Sequence, residues 1–88
     1  MKIRFFGSVD CRDCLAVFIL LEKNQVQYEY IDGNDERDEV QDFCDSQNID
    51  KLPHLQFLDD HNTVVVEYIG SISEKELQTY LTKYFPNY

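Results

Sequence analysis

Two thiols three residues apart, in the segment Cys11-Arg12-Asp13-Cys14, are the side chains of this 88-residue sequence best suited to chemistry. On a helix, that spacing brings the second sulfur onto the first. A disulfide attacked by one thiolate is then released by internal displacement from the other. The thiolate is the reactive form, and a helix N-terminus favours it through free backbone N–H groups and the positive end of the dipole. Cys11, nearer the helix end, is the expected nucleophile, and Cys14, one turn inside, the expected resolving thiol. Arg12 favours negative charge on Cys11, whereas Asp10 and Asp13 oppose it. The competing use of such a pair is as half of a zinc site. The other candidate ligands, Cys44, His54 and His61, form no second close pair, so no metal is expected. Cys44 shares helical spacing with Val40 and Phe43 and reads as a core thiol.

These thiols need a strand to deliver them and a helix to hold them. Residues 2–6 alternate charged and apolar side chains, with Ile3 and Phe5 on one face, and read as a strand broken at Gly7 and Ser8. Residues 11–24 read as a helix whose apolar side chains wrap most of its circumference, which predicts deep packing. A second strand is expected at 27–31, then a turn at Asp32-Gly33-Asn34 and a helix over 35–47. Residues 54–58 and 63–68 form two strands across a hairpin at Asp59-Asp60-His61-Asn62. Gly70 ends that pair. Ser71 and Ser73, each followed three residues later by Glu, are capping-box candidates for a last helix to about residue 84. The order is β-α-β-α-β-β-α, with the first two strands parallel across a helical crossover and the last two antiparallel. This α/β pattern, a four-stranded mixed sheet flanked by helices, resembles the thioredoxin-like fold.

The totals suit a single domain over residues 1–88. Apolar residues make up 43% of the chain, including six Phe and six Tyr, enough to fill a compact interior. Seventeen acidic residues against eight basic ones give a net charge of −9, which repels phosphate backbones and anionic lipid, so neither nucleic acid nor membrane is an expected partner. Three cysteines cannot make a closed disulfide scaffold. The apolar run 15–21 is too short to span a bilayer and lacks a cleavage site, so no secretory signal is read. A monomer in a reducing compartment, the cytoplasm, is expected, where a Cys-x-x-Cys serves redox chemistry.

Two further positions bear on that chemistry. Pro53 opens a strand, where its missing N–H costs little. A cis peptide between Leu52 and Pro53 would also present the Leu52 backbone to a substrate beside the cysteines. Gly70 with Ser71 and Ser73 is first a turn, and also a candidate pocket for a carboxylate at a helix N-terminus. His54 reads equally as packed or as solvent-facing.

At these residues nearly the whole chain resembles the glutaredoxins. The Cys11–Cys14 motif follows the first strand at the family's distance, and Ile31-Asp32-Gly33-Asn34 is similar to a segment of small bacterial glutaredoxins. Leu52-Pro53 stands where the family has Thr-Val-cis-Pro, and Ile69-Gly70-Ser71 where it has Gly-Gly before the last helix. The resemblance implies thiol–disulfide oxidoreductase activity on protein or glutathione mixed disulfides. Glutathione would be held by Arg12, the Leu52-Pro53 backbone, and Gly70, Ser71 and Ser73. Electrons would come from glutathione or from a flavin-dependent thioredoxin reductase. It also implies an alternative, an iron–sulfur or metal carrier. The departures are Arg12-Asp13 for Pro-Tyr, Ser8 for a basic residue, Lys51 for Thr, Ser71 for the second Gly, and Ser73 for an acid. They fall on the residues that would hold glutathione rather than on those that build the fold.

Overall fold

A computed structural model describes residues 2–84. Seven elements follow in order: β1 (Lys2–Gly7), α1 (Arg12–Lys23), β2 (Tyr28–Asp32), α2 (Asp38–Ser46), β3 (His54–Leu58), β4 (Val64–Ile69) and α3 (Glu74–Tyr84). The sheet order is β2-β1-β3-β4. β1 pairs parallel with β2, and β3 pairs antiparallel with both β1 and β4. The expected thioredoxin-like α/β fold is therefore present, with two exposed sheet edges at β2 and β4.

Strand alternation divides the core. Ile3 and Phe5 of β1, with Leu55 and Phe57 of β3, join Val17 and Leu21 of α1 and Leu77 and Leu81 of α3 in one buried cluster. The opposite side chains of the same strands turn toward α2, where Phe6 stacks on Phe43 at 6.0 Å and meets the His54 ring edge-on at 5.9 Å. β3, central in the sheet, is buried along its whole length. Its two polar residues find partners on neighbouring elements, although the buried His54 Nδ1 has none among the described residues. Gln56 accepts from Arg4 at 3.3 Å and donates to Gln47 at 3.0 Å, while His54 Nε2 lies 3.0 Å from Glu67. His54 is therefore packed rather than solvent-facing.

Several expectations shift by a few residues. The second helix begins at Asp38 instead of 35, because Asp35 accepts the Arg37 backbone N–H at 3.0 Å and clasps its guanidinium, closing a turn ahead of the helix. Cys11 sits before α1 as its N-cap instead of inside it. β2 and β4 each start one residue late. Of the two capping candidates, Ser73 is the one used. Its Oγ accepts the Glu76 N–H at 3.1 Å and Glu76 returns a carboxylate to the Ser73 N–H at 3.4 Å, while Ser71 is exposed.

Deep packing of α1 is the expectation that fails. Cys14, Val17 and Leu21 form its buried stripe, whereas Leu15, Phe18 and Ile19 face outward at 58%, 41% and 55% exposure. The sheet offers one face to α1, and no described element covers the flank of α1 beyond the β2 edge.

Loss of the cap should separate the two serines. Ser73→Ala is expected to lower the unfolding free energy by about 1 kcal/mol. Ser71→Ala should change it by less than about 0.5 kcal/mol, both read from denaturant midpoints.

Candidate active site

The site begins with how β1 ends. Gly7 accepts the Gly33 N–H at 2.8 Å, holding the loop after β1 against the turn after β2. Ser8, buried, reinforces this: its Oγ accepts from Asn34 Nδ2 at 2.6 Å and from the Asp10 N–H at 3.2 Å. Its carbonyl accepts the Cys11 N–H at 3.2 Å. Gln41 of α2 anchors the same turn by donating to Asp35 O at 2.6 Å and Gly33 O at 3.3 Å. Ser8, Asn34 and Gln41 are positioning residues: the sequence marks Ser8 and Asn34 only as turn residues and carries no signal for Gln41.

Out of this loop α1 starts, and its N-cap is a sulfur. Cys11 has extended backbone angles (φ −100°, ψ 116°), and its Sγ accepts the Cys14 N–H at 3.1 Å. That is the position an N-cap oxygen takes in other helices, where it satisfies one orphan N–H. The positive end of the helix therefore points at the outer thiol. Cys11 is half-exposed, and Cys14 is buried at 2% exposure. Both are free thiols. The Cys14 thiol hydrogen-bonds with Cys11, so the two side chains meet. Burial above all, then that bond and the nearby Cys11 and Asp13 charges, push the Cys14 thiol up to about 12. At neutral pH it is an un-ionised donor behind Cys11.

Across from the thiols lies the turn before β3. The Leu52–Pro53 peptide is cis, and the Cys11 thiol stands 4.0 Å from the Leu52 carbonyl oxygen. Leu52 packs over Gly33, where a Cβ would come within 2.9 Å of its Cδ1. Pro53 O accepts the Gly70 N–H at 2.8 Å, and Gly70 takes φ +98°, a conformation costly for any other residue. Of the sequence candidates, Cys11, Cys14, Leu52, Pro53 and Gly70 are linked by these contacts. Arg12 is exposed on the first turn of α1. Ser71 is exposed, the Ser73 N–H and hydroxyl are engaged by Glu76, and Glu74 and Glu76 occupy the first turn of α3. An anion approaching that helix end also meets two carboxylates. Cys44, buried on α2, has its thiol raised chiefly by burial and takes no part in the site.

No protein-family model and no curated protein sequence matches the chain. Among solved structures it is similar to thioredoxin 1 from Thermosipho africanus (TM-score 0.75, 18% identity, covering 98% of this chain and 96% of that one). It is also similar to the Schistosoma mansoni thioredoxin pre-protein (TM-score 0.77, 15% identity, 96% and 78%). A third likeness is to a mutant thioredoxin from Halobacterium salinarum (TM-score 0.73, 23% identity, 94% and 73%). At such identities the likeness establishes the fold, and the chain is a thioredoxin-fold domain.

The raised Cys14 thiol makes stability pH-dependent with a definite sign. In the unfolded chain it ionises near its ordinary 9.0, in the folded reduced chain near about 12. Its contribution is whole below pH 9 and is lost as pH climbs to about 12, because the unfolded state releases a proton the folded state keeps. Denaturant titrations of reduced protein should show stability falling across that window. The fall should be shallower in Cys14→Ala.

Proposed function

We propose that this chain is a dithiol oxidoreductase of the glutaredoxin type, which reduces protein disulfides and glutathione mixed disulfides. One observation carries the reading: the half-exposed Cys11 sulfur accepts the Cys14 N–H and caps α1, with the Cys14 thiol buried behind it.

Cys11, as thiolate, attacks one sulfur of the substrate disulfide. A Cys11–substrate S–S bond forms, and the other substrate sulfur leaves as a thiolate that takes up a proton. Cys14 then loses its proton and attacks the Cys11 sulfur, so the Cys11–Cys14 bond forms and the substrate thiol departs. Two electrons have passed from the cysteine pair to the substrate. Two of the effects that hold Cys14 protonated come from Cys11 itself, its hydrogen bond and its charge. Both weaken once Cys11 is engaged in the mixed disulfide. The resolving thiol is thus easier to ionise in the intermediate than in the resting pair.

The backbone at Leu52 lies beside the attacked sulfur and is suited to pair with an extended substrate as an added strand. Two glutathione thiols, oxidised to glutathione disulfide, restore the Cys11–Cys14 pair. A thioredoxin reductase is the competing donor.

Reduction of a mixed disulfide with each donor supplied separately tests this. Wild type should turn over with glutathione, and Cys11→Ser should lose at least about 100-fold. Cys14→Ser should accumulate a covalent Cys11–substrate species visible by mass. Turnover by reductase alone would move the chain to the thioredoxin type. Activity surviving in Cys11→Ser would remove the dithiol reading.

A further inference from the structure

The outward flank of α1 is not a plain surface. Val9, Leu15 and Phe18, with Tyr30 of β2 and Phe5 beneath, line an apolar cavity of about 310 Å³, and the remaining wall is Cys14. Val9 is 87% and Leu15 58% exposed, a costly display next to a reactive thiol unless something is bound there. Tyr30 stands edge-on to Phe5 at 5.4 Å, and Phe18 edge-on to Tyr28 at 6.3 Å. Its rim is acidic. Asp10 and Asp13 are exposed on either side of Cys11 and Arg12. The charge of Asp32 bears on the Tyr30 hydroxyl, and Glu22 on that of Tyr28.

We infer that this groove selects the substrate: a cysteine-bearing polypeptide with a bulky aromatic or branched apolar side chain near its disulfide, flanked by lysine or arginine. The inference rests on the dithiol reading and specifies which disulfides the pair meets. The apolar side chain fills the groove against Cys14 while the substrate sulfur meets Cys11, whose Sγ is hydrogen-bonded to the Cys14 N–H. The basic residues face the acidic rim. Glutathione fits poorly. It has no bulky apolar side chain to fill the groove and carries net negative charge at neutral pH, so it can react at Cys11 without gaining from the groove. A second copy of this chain is disfavoured for the same reason, since at −9 it brings a like-charged rim to the same place.

Single-turnover reduction with stoichiometric reduced protein tests the assignment without an added donor. Four substrates carry the same thionitrobenzoate leaving group: a Cys-Lys-Phe-Lys peptide, its Phe→Ser form, its Lys→Glu form, and glutathione. In each, the Cys11–Cys14 pair supplies two electrons and thionitrobenzoate leaves as its coloured thiolate. The Phe/Lys peptide should react roughly tenfold faster than the Ser form, as burial of one aromatic ring allows. It should exceed the Glu form and glutathione by at least as much. Added salt should erase the Lys/Glu ratio and spare the Phe/Ser ratio. In Val9→Ser/Leu15→Ser the Phe/Ser ratio should fall toward one.

Equal rates on all four substrates would overturn the groove assignment while leaving the dithiol reading intact. Should no substrate react, the dithiol reading falls. The groove is then judged by titrating the Phe/Lys peptide, with serine in place of its cysteine, into the protein. Amide shifts clustered at Val9, Leu15, Phe18 and Tyr30 sustain it, and their absence rejects it. Concentration-dependent dimerisation lost in the double variant would assign the groove to self-association and overturn the peptide assignment.

Discussion

A sulfur in the place of a capping oxygen is the constraint on which the rest of this structure depends. The Cys14 N–H that ends 3.1 Å from Cys11 Sγ is one of the orphan donors that every helix start must satisfy. Satisfying it with a thiol joins two problems. The bond that starts α1 also aims the helix dipole at the reactive atom and seats Cys14 one turn behind. Because the cap is Cys11 itself, the nucleophile's position is set by the helix and not by a loop rotamer. The accuracy of the site is therefore inherited from the packing of α1 on the sheet through Val17 and Leu21.

That packing would be wasted if the preceding loop could drift. The hydrogen bonds among Gly7, Gly33, Ser8 and Asn34 fix the end of β1 to the end of β2, and Gln41 fixes the same turn to α2. Leu52 rests on Gly33, so the segment that faces Cys11 from the other side leans on the same turn. Three elements distant in sequence meet at residues 32–34. A Cβ at Gly33 would press on the end of the Leu52 side chain, the residue whose carbonyl stands opposite the thiol, so a larger residue there would make Leu52 shift.

The element order, the parallel and antiparallel pairings and the hairpin at 59–62 were legible because each rests on local signals: strand alternation, turn residues and a capping box. The placement of Cys11 and Cys14 at the head of α1 was legible for the same reason, and so was the cis peptide before Pro53. What a local pattern cannot carry is who the neighbours are. The apolar circumference of α1 suggested burial, but burial needs a second covering element, which the described chain does not provide there. His54 and Gln56 were unreadable on similar grounds. A polar residue survives in a central strand only through partners on β4, β1 and α2, and those are chosen by register and crossover rather than by spacing. At Gly70, Ser71 and Ser73 the same motif that marks a helix start, serine with glutamate three residues on, engages the Ser73 and Glu76 N–H groups, a use that spacing alone does not separate from a binding turn.

The balance between reduced and oxidised pair follows from which interactions exist in one form only. The Cys14 thiol bonded to Cys11 belongs to the reduced chain, and whatever stabilises that form makes the oxidised pair a stronger oxidant. The acidic neighbours Asp10 and Asp13 oppose charge on Cys11 and push the other way. They are exposed, so solvent and salt screen them, whereas the bonds around the buried Cys14 thiol are screened far less. The short-range contacts at the head of α1 therefore govern the poise of the pair. The net charge of −9 acts at longer range, on which partners approach and how fast. The contacts at the two thiols and the wider surface charge are thus different parts of one electrostatic field, and a change in surface charge can alter the second while leaving the first in place.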